Sequence, residues 1–169
     1  MVKSLILSVV ALVCLANSDG TILIDFETLH PGEEKSYIHI PDGYMGMKWS
    51  KYFRGQTSKY KPGTGFEAGT SGDMSAYTSG HKKVFMASDD GSLFDFVGAD
   101  ITAAWLDNES VTVEGWRGHE ILYIVDIQTH TNGPHWFTLN FEDVDKVWFK
   151  PISEKGEHHI VIDNIVINR

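Results

Sequence analysis

Apolar and polar residues alternate along most of the chain in short runs, which glycine, aspartate, asparagine and proline separate. A period of two is typical of strands, because successive side chains in a strand point to opposite faces. No run of ten or more residues combines helical spacing with helix caps. The pattern predicts strands at residues 21–28, 35–41, 83–88, 94–106, 110–117, 120–130, 135–142, 146–152 and 158–168. Short strands at turn-like intervals favour an all-β fold, an antiparallel β-sandwich of jelly-roll type.

The stretch "SVTVEGWRGHEILYIVDIQTH" shows the alternation most clearly. From 111 to 116, Val, Val and Gly share one face, and Thr, Glu and Trp share the other. The "WRGHE" turn predicts a hairpin, with Trp116, Arg117 and His119 at its tip. A large ring at a hairpin tip has little core to fill, so Trp116 is the strongest single candidate for a ligand contact.

Residues 50–80 differ from the rest of the chain, because they are rich in Gly, Ser, Thr, Lys and Tyr and poor in aliphatic residues. A loop of this length in a compact domain is usually functional or disordered. Tyr52, Phe53 and Tyr60 lie in this segment among cations. Since aromatic side chains with polar neighbours suit ligand recognition, these three residues are candidate ligand contacts.

The other prominent rings are predicted to be structural. Tyr44 and Trp49 lie beside glycines in "GYMGMKW" and are predicted to close one end of the core. Trp105, Trp136 and Trp148 lie in apolar strand context and are assigned mainly to the core.

The first residues have the layout of a secretory signal peptide. Lys3 precedes an apolar run at 5–16, which is shorter than the roughly 20 residues needed to span a bilayer. The predicted organisation is therefore a signal peptide at 1–18 and a single β-sandwich domain at 19–169, secreted to the extracellular space. Cleavage would remove Cys14, the one cysteine of the chain, so stability must come from core burial.

The formal net charge is −9, from 14 Lys and Arg against 23 Asp and Glu. Without Lys3 it becomes −10, because 13 cations then face the same 23 anions. A strongly acidic chain is repelled by phosphate backbones and anionic lipid, so nucleic acid and membrane insertion are not expected.

The segments "GYMGMKW", "DITAAWLDNESVTVEGWRG", "FTLNFEDVDKVWF" and "HIVIDNIVI" resemble a widespread, largely uncharacterised group of secreted jelly-roll β-sandwich domains. Members of the group occur in fungi and in bacterial proteins that carry PEP-CTERM sorting signals. The resemblance implies a fold similar to that of carbohydrate-binding modules.

Carbohydrate-binding jelly rolls often hold a structural calcium ion, and the resemblance places it at Asp25, Glu27 and Asp163. Asp163 lies within an aliphatic strand, where a buried carboxylate must be paired or bind a metal. If the terminal strands pair, hard oxygen ligands suited to Ca²⁺ would converge there. The alternative is that Asp163 and Asn164 hydrogen-bond the backbone of a loop.

The leading functional interpretation is a secreted, non-catalytic module that binds carbohydrate of a cell wall, matrix or mucus. One alternative is an extracellular structural or adhesive protein that binds other proteins, and another is a polysaccharide hydrolase or lyase. "NES" at Asn108 is an N-glycosylation sequon in what reads as an exposed turn, so a glycoprotein is expected in a eukaryotic host.

Overall fold

The structure is a computed structural model that describes residues 20–32, 36–79, 82–152 and 158–169. The predicted signal peptide at 1–18 lies outside the described residues. In the described part of the chain, no helix is long and apolar enough to cross a membrane.

The described residues form twelve strands and one short helix. The strands are β1 (Thr21–Ile24), β2 (Tyr37–His39), β3 (Met47–Trp49), β4 (Phe53–Thr57), β5 (Met74–Thr78), β6 (Val84–Ser88), β7 (Phe94–Ala103), β8 (Glu109–Arg117), β9 (Glu120–Thr129), β10 (Trp136–Val144), β11 (Lys146–Ile152) and β12 (Ile160–Asn168). The helix α1 (Gly65–Ala68) precedes β5, and a 3₁₀ turn (Tyr44–Gly46) precedes β3.

These strands make two antiparallel sheets. A seven-stranded sheet has the order β10-β7-β12-β5-β4-β2, and β1 pairs with β12 as well. A five-stranded sheet has the order β3-β6-β11-β8-β9. The predicted antiparallel β-sandwich of jelly-roll type is confirmed. The predicted β8–β9 hairpin is also present, with Arg117 opposite Glu120.

The core lies between the sheets and is held by interlocking aromatic rings. Trp49 of the five-stranded sheet meets Phe53 of the seven-stranded sheet at 5.3 Å between ring centroids. Phe149, again from the five-stranded sheet, lies 6.0 Å from Phe53 and 6.0 Å from Phe96. Because the rings alternate between the sheets and meet edge-on or tilted, they gain contact energy beyond their buried area.

Residues 50–80, predicted to be a long polar loop, instead contribute β4, α1 and β5. Gln56 explains the difference, because its buried amide donates to the Phe66 carbonyl oxygen at 2.8 Å and to Ser75 Oγ at 3.1 Å. Polar side chains that satisfy one another can be buried. Hydrophobic alternation does not detect such strands, so the prediction of a loop was wrong.

The segment at 58–73 covers the outer face of the seven-stranded sheet. It packs a second apolar cluster, in which Phe66 lies 5.4 Å from Tyr77 and 5.1 Å from Trp105. A side chain at Gly65 would overlap the Ala103 carbonyl oxygen of β7, so only glycine lets α1 lie this close to the sheet. The part of that outer face around Tyr77 and Val161 is therefore covered by the chain itself.

A buried contact between a histidine and a carboxyl group joins the start of β8 to the residues before β12. His158 Nδ1 lies 3.1 Å from Glu109 Oε1, and their exposed fractions are 8% and 5%. Burial raises the pKa of Glu109 from its ordinary value of 4.5 to about 7. At a pH between 4.5 and about 7, this carboxyl is therefore protonated in the folded protein and ionised in the unfolded chain.

We predict that the Glu109 contribution to stability is fully present below about pH 4.5 and is lost as the pH rises through 7. The loss should be about 2–3 kcal/mol of unfolding free energy between pH 5 and pH 8. Glu109→Gln keeps the shape of the side chain without titrating, so urea unfolding should show a smaller loss in this variant. Glu142→Gln, at an exposed position, is the matched control. Equal losses in the wild type and Glu109→Gln would contradict the prediction.

Candidate functional site

The outer face of the five-stranded sheet carries aromatic and charged side chains that are open to solvent. Along β11, Val147 and Phe149 are buried in the core, so Lys146, Trp148 and Lys150 point to the opposite side. We call this surface the aromatic face. Its central side chains are Phe85, Glu114, Trp116, Lys146, Trp148 and Lys150.

Strand register sets the arrangement of these side chains. Trp148 pairs with Phe85 on one side and with Glu114 on the other, so the three form one row across β6, β11 and β8. Lys146 pairs with Trp116 in the neighbouring row. Trp148 and Trp116 are therefore diagonal neighbours, about 7–8 Å apart by ordinary sheet geometry.

The rings of the aromatic face are braced by one another and by lysines. Phe85 and Trp148 meet at 4.9 Å between centroids with an interplanar angle of 63°. Lys83 Nζ lies 4.7 Å from the Trp148 ring centroid, and Lys146 Nζ lies 5.7 Å from that of Phe85. Both rings remain partly exposed. Cation–π contacts at such distances hold the lysines beside the rings.

Glu114 fixes the middle of the face. It is 6% exposed, forms an ion pair with Lys150 Nζ and accepts a hydrogen bond from Trp116 Nε1 at 2.8 Å. Burial by itself would raise the pKa of Glu114, but the hydrogen bonds from Lys150 and Trp116 outweigh burial and lower it. The carboxylate is therefore ionised at neutral pH and orients the Trp116 indole.

A depression of about 320 Å³ adjoins the rings at one end of the face. Ala87 of β6 contributes to it, and Lys48 and Lys146 pair with this alanine from either side. Asp145 also lines the depression, and its Oδ2 accepts a hydrogen bond from the Gly118 N–H at 2.6 Å. The depression therefore combines a small side chain with two flanking cations.

The three residues predicted to act together at the hairpin tip are separated. Trp116 belongs to the aromatic face. Arg117 instead reaches the other sheet, where its Nη2 lies 3.1 Å from Asp143 Oδ2 and its Nε donates to the Asp143 carbonyl oxygen at 2.7 Å. His119 is exposed in the turn. Arg117 therefore links the two sheets rather than extending the surface around Trp116.

The candidates from residues 50–80 also fall in different places. Phe53 is 1% exposed and belongs to the core, so its prediction as a ligand contact was wrong. Tyr52 is partly buried against the same core. Tyr60 lies on the seven-stranded side, 5.2 Å from Phe66 and 5.4 Å from Tyr77. These residues do not form one site with Trp116.

The tryptophans predicted to be structural are distributed differently. Trp49 is 5% exposed, as predicted. Trp148 is partly exposed on the aromatic face, Trp136 is 45% exposed on β10 of the other sheet, and Trp105 is partly exposed against Phe66. The core assignment of Trp148 and Trp136 was therefore wrong. The alternation along β11 contained the signal for Trp148. Val147 and Phe149, on either side of it, both point into the core, so Trp148 points to the opposite face.

The terminal strands pair as predicted, with Ile24 opposite Ile165. However, no group of three acidic or histidine side chains in the described residues lies close enough to hold a metal ion. Asp163 is fully buried and accepts hydrogen bonds from Ser71 N at 2.9 Å and Ser71 Oγ at 2.8 Å. Burial raises its pKa to about 6, although these bonds act in the opposite direction.

Glu27 likewise accepts hydrogen bonds from the backbone N–H groups of Asp73 and Met74, at 3.0 and 3.1 Å. Asp25 accepts one from the Glu27 N–H at 3.2 Å. The carboxylates predicted to share calcium thus accept hydrogen bonds from backbone amides, and for Asp163 this is the alternative that the sequence left open. Asp25, Glu27 and Asp163 are therefore not arranged as three ligands of one ion. Calcium binding stays a prediction, which melting temperatures measured with calcium and with chelator would test.

Two further cavities and the sequon lie away from the aromatic face. A cavity of about 590 Å³ near Leu29 and Lys59 has no Phe, Tyr or Trp ring among its described lining residues, and one of about 420 Å³ adjoins α1 and Trp105. Asn108 is exposed in a turn with φ 61°, as the sequon predicted. Its glycosylation stays a prediction.

No family model matches the chain, and no curated protein matches its sequence. Among solved structures, the chain is similar to the N-terminal CBM22-1–GH10 modules of endo-1,4-β-D-xylanase 10B from Clostridium thermocellum, complexed with xylohexaose. The TM-score is 0.46 at 10% identity, and the match covers 90% of this chain and 29% of the xylanase chain. A likeness of this size concerns the general β-sandwich arrangement and says nothing about the ligand of this chain.

We predict that Phe53→Ala lowers the unfolding free energy by about 3–5 kcal/mol, because it empties a core position. Trp148→Ala should cost about 1 kcal/mol, since it removes one ring contact at a partly exposed site. Urea denaturation followed by circular dichroism measures both. Equal losses in the two variants would show that Trp148 is a core residue.

Proposed function

We propose that this protein is a secreted, non-catalytic carbohydrate-binding module whose ligand lies on the aromatic face. The observation that carries the proposal is the pair of partly exposed rings, Trp148 and Trp116, on adjacent strands beside the fixed carboxylate of Glu114. Sugar rings have apolar faces that stack on indoles, and their hydroxyl groups need polar partners nearby.

Polar side chains continue the face beyond the rings. Lys150 pairs with Thr112 in the next row, and Thr112 Oγ1 donates to Asp126 Oδ1 at 2.6 Å on β9. These groups lie on regular strands rather than on loops, so their spacing is rigid. A rigid row of rings and hydrogen-bonding groups suits an extended chain of sugars.

The state of Glu114 does not suit the general-acid role of glycoside hydrolysis. Glycoside hydrolysis uses two carboxyl groups, one of which must be protonated to act as the general acid. Glu114 is held by Lys150 and Trp116 with a lowered pKa, so it does not supply a proton at neutral pH. Its role in the proposal is to position the ring of Trp116 and the ammonium group of Lys150.

Binding to insoluble polysaccharides and to a glycan array tests the proposal. We expect Trp148→Ala and Trp116→Ala each to weaken binding by about tenfold. Each variant removes a stacking interaction that contributes up to about 1.5 kcal/mol to the binding free energy. Trp136→Ala is the matched control, since Trp136 is an exposed tryptophan on the opposite sheet. It should leave the affinity unchanged.

The outcomes separate the alternatives. Absence of binding to every glycan would contradict the proposal, and self-association or selective binding of an extracellular protein would favour the adhesive alternative. Release of reducing ends from a bound polysaccharide would identify a hydrolase, and release of unsaturated ends would identify a lyase. Equal loss of binding in Trp136→Ala would move the site away from the aromatic face.

A further inference from the structure

The charge of the aromatic face is opposite to that of the chain as a whole. The chain has a formal net charge of −9, yet one half of the face, formed by β3, β6 and β11, presents lysines in neighbouring positions. They are Lys48, Lys83, Lys146 and Lys150. Two carboxylates, Glu114 and Asp145, lie among them.

The carboxylates near these lysines are already engaged. Glu114 forms an ion pair with Lys150, and Asp145 accepts the Gly118 N–H. Asp126 lies on β9, two strands from β11. Within the described residues, Lys48, Lys83 and Lys146 form no ion pair with a carboxylate. Three ammonium groups on this half of the face are therefore left to interact with a ligand.

Strand register places two of these lysines on opposite sides of Ala87. Lys48 pairs with Ala87 from β3, and Lys146 pairs with it from β11. Two strand spacings separate the backbones of the two lysines, about 9–10 Å. Ala87 is 7% exposed and its short side chain leaves the depression of about 320 Å³ above it. An anionic group in this depression would lie between two cations.

The depression adjoins the stacking surface directly. Phe85 lies two residues before Ala87 on β6 and contacts Trp148. A sugar ring on Trp148 would therefore place its neighbouring substituent or its next residue over Ala87. The geometry combines ring stacking on the row of Trp148 and Phe85 with charge recognition on the neighbouring row of Lys48, Ala87 and Lys146.

We infer that the ligand is an anionic polysaccharide, one that carries carboxylate or sulfate groups on its sugars. A sugar ring stacks on Trp148, and its anionic group lies between Lys48 and Lys146. This inference rests on the proposed carbohydrate-binding function and names the ligand class. Neutral glycans can use the rings but not the lysines, so the protein binds them more weakly.

Two matched pairs of polysaccharides test the inference in the full chain. Polygalacturonate is compared with its methyl-esterified form, and dextran sulfate with dextran, by isothermal titration calorimetry at several salt concentrations. We expect the charged member of at least one pair to bind about tenfold more tightly, with a difference that shrinks as salt rises. The pair that shows the preference identifies carboxylate or sulfate as the recognised group.

The double variant Lys48→Gln/Lys146→Gln should lose this preference while keeping the weaker, ring-dependent binding. The matched control, Lys59→Gln/Lys61→Gln, removes two exposed lysines from the segment that covers the other sheet. It changes the net charge by the same amount and should keep the preference. Circular dichroism spectra of both variants confirm that each is folded.

Equal affinity for charged and neutral members would overturn the inference and leave the proposed function standing. Failure to bind any of the four polysaccharides, together with a negative glycan array, would overturn both. Salt-sensitive binding that is unchanged in Trp148→Ala and extends to DNA would also overturn the inference, because it would reflect charge without ring recognition.

Discussion

The interlocking of aromatic rings between the two sheets is the interaction on which the remaining structure depends. Trp49, Phe53, Phe149 and Phe96 come alternately from the five-stranded and the seven-stranded sheet, and each contacts the next. These contacts determine which side of each strand faces inward. Because a strand has two faces, they also determine what faces solvent: with Phe149 inside, Trp148 must lie outside.

The two outer faces of the sandwich then differ in how far other parts of the chain cover them. The seven-stranded sheet is covered by residues 58–73, which the buried amide of Gln56 and the close approach at Gly65 hold in place. The five-stranded sheet has no comparable cover in the described residues, and its rings stay accessible. Trp148 and Trp116 are partly exposed on this open face, and the proposed function starts from that exposure.

Charged side chains on the aromatic face add electrostatic interactions to this arrangement. Burial of Glu114 raises its pKa and the bonds from Lys150 and the Trp116 indole lower it, so these three side chains form one electrostatic unit. The lysines without carboxylate partners lie on the other side of that unit. The face is thus divided into a hydrogen-bonded half near β8 and β9 and a cationic half near β3 and β6, and the proposed ligand class follows from this division.

Much of the fold was predictable from the sequence, since the strands from β6 to β12 alternate apolar and polar residues in step with their two faces. The strands β4 and β5 were not predicted, because Gln56 and Ser75 are buried through hydrogen bonds that only the folded neighbours supply. The strand β3 was also missed, and it has only three residues. The prediction succeeded for Trp116 as an accessible ring and failed for Phe53, which is in the core.

The sequence alone thus determined the period of the strands from β6 to β12, the acidic balance and the presence of rings with polar neighbours. Only the tertiary structure decided which rings are enclosed and which lysines stand beside them. Burial depends on the partner sheet and the pairing register, and both bring together residues far apart in the chain, such as Lys48, Ala87 and Lys146.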